Sequence, residues 1–144
     1  MLVIDTNVLI YAAVRQSEFH DACRRRIETC RQRASPWYLS WPICYEFMRV
    51  CTHPNVLPQP WTIAGAWNFL EVMLSAPGGG LLLPTSRHAA IFAEVAAELP
   101  HLRGNLLHDA HTAVLMREHG IRDLYTRDTD FSRFPFLRVI DPVA

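Results

Sequence analysis

The stretch Leu2-Val3-Ile4-Asp5-Thr6-Asn7-Val8-Leu9-Ile10-Tyr11 sets a carboxylate between two runs of large apolar side chains. A charge beside buried surface is costly unless it is paired, hydrated or metal-bound. Two readings answer this. Asp5, Thr6 and Asn7 are all good helix N-caps, so a strand running directly into a helix explains the trio with no function attached. Alternatively, Asp5 belongs to a site. On either reading the segment predicts a short buried strand from Leu2 to Asp5 and a helix through about Val14.

Outward from this unit the alternation continues. A helix capped by Ser17 is expected to about Arg33; its Arg24, Arg25, Arg26, Arg31 and Arg33 read first as a solvated face and second as a partner or RNA contact. Trp37 to Ser40 reads as a second strand, and Pro42 suits the first turn of a helix that ends before Pro54. Pro54, Pro58 and Pro60 make a stiff connector to a helix from Thr62 to Ser75, which Pro77-Gly78-Gly79-Gly80 breaks. Leu81-Leu82-Leu83 reads as a third strand, Ser86 as the cap of a helix to about Leu99, and Asn105 as the start of a helix stopped by Gly120. Asp123 to Thr126 and Leu137 to Ile140 are the remaining strands. No repeat or low-complexity segment interrupts them.

Strands alternating with helices predict an α/β fold, three layers α/β/α around a central mainly parallel sheet. The 144 residues suffice for one domain spanning the whole chain. Ligands of such open sheets bind beyond the carboxyl ends of the strands, where strand order reverses. That topology puts Asp5, at the end of the first strand, and Asp128, just past the fourth, on one rim.

Composition narrows the classes. Half the residues are hydrophobic and the net charge is zero, which excludes a disordered chain and a protein held to nucleic acid by bulk positive charge, though not a local basic patch. All 14 basic residues are arginine, whose planar fork matches phosphate and carboxylate geometry; codon bias is the plainer account of that composition. Cys23, Cys30, Cys44 and Cys51 form no CxxC pair and fall at helical-face spacing, as buried thiols do. No stretch reads as a signal peptide or reaches the roughly 18 apolar residues of a membrane span, so a cytoplasmic, reduced, non-membrane protein is expected.

Two further acids stand in apolar company. On the helix containing Leu106-Leu107-His108-Asp109-Ala110-His111-Thr112-Ala113, Asp109 interrupts an apolar stripe, and Ala110 and Ala113 leave room beside it. Glu46, in Ile43-Cys44-Tyr45-Glu46-Phe47-Met48-Arg49-Val50, borders an apolar face, where an i,i+3 pair with Arg49 explains it as well as function does. Asp128-Thr129-Asp130 after a strand is either turn chemistry or a site; it lacks the Gly and distant Glu of an EF-hand loop. His108 and His111 lie three apart on one helix without a third zinc ligand at useful spacing, and read as polar residues at a cleft edge. No Ser or Cys sits in a nucleophile elbow, and the glycine run lacks the Lys of a phosphate loop.

Together these stretches resemble the PIN-domain family of metal-dependent nucleases, most closely the VapC-type toxins of bacterial toxin–antitoxin pairs. The resemblance rests on Val3-Ile4-Asp5-Thr6-Asn7-Val8-Leu9-Ile10-Tyr11, on Glu46, on Arg103-Gly104-Asn105-Leu106 through Asp109-Ala110-His111 to His119-Gly120, and on Asp128-Thr129-Asp130-Phe131 with Arg133-Phe134-Pro135 and Asp141-Pro142. It implies a ribonuclease dependent on Mg²⁺ or Mn²⁺, with Asp5, Asp109 and Asp128 at the metal and Glu46 orienting the attacking water or completing a second site. The family's fourth acid fits Asp128 best, with Asp130 as the alternative that could share or replace it, and Thr6 and Asn7 are accessory groups for a ligand or phosphate. It also implies an RNA substrate, an antitoxin partner and a homodimer, for which the Arg-rich helix and the helix carrying Trp67, Phe69 and Leu70 offer faces. The chemistry is coherent in itself, since hard carboxylate oxygens select such ions and the ions activate water for phosphodiester hydrolysis.

Two other classes compete. A catalytically degenerate RNA- or protein-binding module is disfavoured because all four acids are present. A phosphatase of the haloacid dehalogenase type wants Asp-x-Asp after the first strand, and Asn7 holds the second place.

Overall fold

The computed structural model describes residues 1–144. In chain order the elements are β1 (Leu2–Ile4), α1 (Thr6–Ala13), α2 (His20–Gln32), β2 (Trp37–Leu39), α3 (Trp41–Thr52), α4 (Ile63–Ser75) and β3 (Gly79–Leu81). Then follow α5 (His88–Glu98), α6 (Leu106–Glu118), β4 (Asp123–Tyr125), a 3₁₀ turn at Thr129–Arg133 and β5 (Arg138–Ile140). β1 is central: it pairs with β2 on one side and β4 on the other, which is why its short run is apolar throughout. The sheet has five strands in the order β3-β2-β1-β4-β5, and every pairing is parallel. The chain winds outward from β1 through β2 to β3, then returns to lay β4 on the other side of β1. Strand order therefore reverses between β1 and β4.

Two helical groups cover the sheet. α1 packs on α2 and α3, and α3 on α4; α5 packs on α6. One apolar cluster of 31 buried residues ties helices to sheet, with Trp37, Phe47, Phe131 and Phe134 among its largest members. The four cysteines, on α2 and α3, are all buried free thiols, as their spacing predicted. Burial pushes Cys23, Cys44 and Cys51 up to about 11. No helix is long and apolar enough to cross a membrane.

Several predicted boundaries move, each for a tertiary reason. The third strand is Gly79–Leu81 and not Leu81 to Leu83. A Cβ on Gly79 would stand 2.8 Å from the Met73 carbonyl oxygen and 2.9 Å from the Trp37 indole, so a glycine forms the strand where backbone passes the buried ring. Leu83 instead points to solvent, 51% exposed. Ser17 does not cap α2. Its hydroxyl accepts from Phe19 N–H in the preceding turn, and the helix begins at His20, after Phe19 has packed edge-on against Tyr11. Ser86 does not cap α5 either: Arg87 holds the cap position without a side-chain cap bond, and the Thr85 hydroxyl accepts from Arg87 N–H at 3.1 Å in the turn that precedes the helix. Asn105 stands at the N-cap position just before α6 without a side-chain cap bond, and Gly120, at φ +68°, follows the end of that helix.

Candidate active site

α1 and α3 follow β1 and β2 directly, so their first turns lie at the carboxyl edge of the sheet. α6 feeds β4 from its own C-terminus, which brings its first turn to the same edge. Residues from all three starts, Thr6 and Asn7, Pro42 and Ile43, Asn105 and Asp109, line one open cleft of about 740 Å³. The positive ends of three helices thus meet over one volume, a setting that favours carboxylates and phosphates.

Asp5, Glu46, Asp109 and Asp128 all line this cleft. Asp5 is both cap and acid. Its Oδ1 accepts from Thr6 N–H at 2.8 Å, and its Oδ2 accepts from Asn7 Nδ2 at 3.0 Å and from the Thr126 hydroxyl at 2.7 Å. Its own N–H donates to the Tyr125 carbonyl at 2.9 Å, so β4 holds the residue as firmly as β1 does. Burial raises its pKa, the three hydrogen bonds oppose that rise, and the charge of Asp128 adds to it.

Asp109, half-buried on α6, is pushed up to about 6, first by burial and then by the charges of Asp128, Asp5 and Asp130. Asp128 caps the 3₁₀ turn: its Oδ1 accepts from Asp130 N–H at 2.9 Å, and its N–H donates to Thr126 Oγ1 at 3.0 Å. Turn chemistry and acid placement thus coincide here, as cap and acid do at Asp5. Oxygens of Asp109, Asp128 and Asp130 come within 4.8 Å of one another, with Asp5 outside that trio. Asp130 is exposed and lies 4.0 Å from Arg133. Glu46 is exposed on α3 and engages Arg49 through two hydrogen bonds, of 3.0 and 2.6 Å, which hold its carboxyl below the usual range.

Thr6 and Asn7 border the cleft, but their polar groups are spent on the chain. The Thr6 hydroxyl donates to the Ile43 carbonyl at 3.3 Å. Asn7 donates to Asp5 and, at 2.9 Å, to Thr126 Oγ1, and its Oδ1 accepts from Arg127 N–H at 3.0 Å. Thr126, wholly buried, is the residue that the sequence reading missed: one hydroxyl joins Asp5, Asn7 and Asp128. The available signal was a hydroxyl at a strand end, two residues before an acid. His108 and His111 line the cleft as expected, and Arg49 is the one arginine among its walls.

The donor set fits a small divalent cation. Carboxylate oxygens are hard ligands suited to Mg²⁺ or Mn²⁺. Burial is the main cause of the raised pKa values of Asp5 and Asp109, and neighbouring carboxylates add to it, Asp128 at Asp5 and Asp128, Asp5 and Asp130 at Asp109, a repulsion that a cation would relieve.

The model of the PIN domain matches residues 2–137, and the chain belongs to that family. Within it the chain falls among the VapC proteins: it is 34% identical over 140 residues to ribonuclease VapC48 of Mycobacterium tuberculosis, covering 97% of this chain and 96% of that one. Its fold is similar to that of VapBC2 from Rickettsia felis bound to a DNA fragment from its promoter (TM-score 0.68, 17% identity, 96% of each chain). It is also similar to Mycobacterium tuberculosis VapC20, a sarcin-ricin loop cleaving toxin (TM-score 0.64, 16% identity, 92% of this chain and 93% of that one).

Proposed function

We propose that this chain is an endoribonuclease, the toxin of a toxin–antitoxin pair, and that it hydrolyses RNA phosphodiester bonds with Mg²⁺ or Mn²⁺. The carrying observation is the convergence of Asp5, Glu46, Asp109 and Asp128 on one cleft under three helix starts. The ribonuclease name of its relatives supports RNA as the substrate.

Asp5, Asp109 and Asp128 would hold the ion, directly or through water, with Asp130 close enough to Asp109 and Asp128 to share that part; the ion would supply charge neutralisation at phosphorus and a water of lowered pKa. Thr126 and Asn7 keep Asp5 oriented and its carboxylate partly compensated. Glu46, apart from the crowded acids, orients the attacking water, and its ion-pair partner Arg49 offers a guanidinium to the RNA backbone. The starts of α1, α3 and α6 attract the phosphate.

The antitoxin is assigned to the groove between α1, α2 and α4. Arg15, Arg24 and Arg31 flank an apolar floor that includes Ile27, Phe69 and Met73, the chemistry that receives an acidic amphipathic segment. The homodimer is assigned to the exposed face where Trp41 of α3 and Trp67 of α4 stack at 6.4 Å, with Tyr45 and Ile63 also exposed. Sedimentation that finds only monomer at all practical concentrations removes the dimer.

Incubation of total cellular RNA with wild type and with Asp5→Asn, each in Mg²⁺ and in chelator, tests the enzyme. Cleavage is expected from wild type in Mg²⁺ alone. Asp109→Asn should be as inactive as Asp5→Asn, Glu46→Gln severely impaired, and Asp128→Asn more impaired than Asp130→Asn. Equal cleavage in chelator overturns the metal requirement, and RNA binding without cleavage by wild type makes the chain a degenerate module.

A further inference from the structure

Behind the cleft lies a polar network that none of the acids uses. Glu118, at the end of α6, has a side chain with no exposed surface. Its Oε1 accepts from Thr85 N–H at 2.8 Å and from the Thr85 hydroxyl at 2.7 Å, and its Oε2 accepts from His88 Nδ1 at 2.6 Å. Arg87 donates to its carbonyl at 2.6 Å. A buried carboxylate is unfavourable unless its lone pairs are filled, and an apolar side chain would occupy the space without that cost. What the network achieves is to fix His88, since a carboxylate can only accept and Nδ1 of His88 must face it.

The His88 ring stands 5.8 Å, centroid to centroid, from the ring of His111. His111 lines the cleft beside Asp109 and Thr112, with Nδ1 buried and unpartnered. A buried acceptor without a partner is tolerated better than a buried N–H, so the ring hydrogen belongs on Nε2. That nitrogen has no partner within the chain and is the donor available to whatever occupies the cleft.

We infer that His111 is a substrate-contacting residue whose Nε2–H donates to a phosphate oxygen of the RNA strand, and that His88, set by Glu118, is the positioning residue that holds its ring. The inference rests on the ribonuclease reading above. Its geometry sends a line of support from a wholly buried acid, through one imidazole, to a second imidazole at the cleft wall.

Initial rates on total cellular RNA, over a series of RNA concentrations in Mg²⁺, test this alongside melting temperatures. His111→Ala should raise the apparent KM about tenfold, the loss of one hydrogen bond to a charged group. His111→Gln, whose amide nitrogen overlies Nε2, should recover most of it. His88→Asn keeps a donor at the Nδ1 position for Glu118 while removing the part of the ring beside His111; it should retain the melting temperature and still raise KM about threefold. KM does not depend on how much enzyme is folded, so lost stability alone cannot produce these results. A wild type that cuts no RNA overturns the ribonuclease reading and this inference with it. A wild type that cuts RNA, beside His111→Ala with unaltered KM, overturns this inference alone. An unaltered KM in His88→Asn, with His111→Ala raised, overturns the positioning role.

Discussion

Asp109 is held up to about 6 by burial and by three neighbouring carboxylates, so in the folded, metal-free protein its charged form is disfavoured. A carboxyl with a raised folded pKa binds more protons folded than unfolded, and stability falls as pH rises from about 4, its unfolded value, to about 6. Asp109→Asn removes that loss. In chelator at neutral pH the variant should therefore melt above wild type, and the gap should close as pH is lowered through the same window. Melting curves at a series of pH values decide it; a variant that melts well below wild type makes Asp109 a structural acid. Thr126 gives the opposite case. Thr126→Val keeps the shape but strips a bond from each of Asp5, Asn7 and Asp128, and should cost about 2–3 kcal/mol in denaturant unfolding, with Thr126→Ser largely restoring it. Asp5 and Asp109 were legible because a charge in an apolar stripe is locally anomalous. Thr126 was not, because a buried threonine at a strand end looks ordinary until Asp5 and Asn7, more than a hundred positions away, are brought to it.

Elements of this chain reveal themselves unequally. α3 and α4 were legible almost to the residue because Pro42, Thr62 and their flanking prolines act within one helical turn. Strands of three residues carry too little alternation to fix a register, and β3 slid because a leucine run is a louder signal than two glycines. Ser17 and Ser86 failed as caps because aromatic packing at Phe19 and the pull of Glu118 on Thr85 reset where α2 and α5 start. Gly79 supplies a direct check on β3. Gly79→Ala must displace either backbone or the buried Trp37 ring, and should destabilise by about 1–3 kcal/mol. Gly80→Ala, whose nearest contact is the Tyr38 ring at 3.3 Å, should cost less. Chemical denaturation of the two variants makes the comparison, and equal stability would remove the close approach as the reason for glycine.

For the whole molecule, a cation that binds only the folded state stabilises it by mass action. Wild type should melt progressively higher as Mg²⁺ or Mn²⁺ is added, and Asp109→Asn should gain less; a wild type indifferent to both ions argues against the donor set. The acids meet because one crossover returns the chain from β3 to lay β4 beside β1. Alternation of strands and helices announced that rim, but which oxygens of Asp109, Asp128 and Asp130 would converge depended on side-chain reach that no spacing encodes. The four thiols on α2 and α3 have a practical consequence of the same global kind. Sealed in the core and poorly ionised, Cys23, Cys30, Cys44 and Cys51 should stay silent to Ellman's reagent in native buffer and react together once the chain opens, making the rate of thiol release a clock for its conformational breathing.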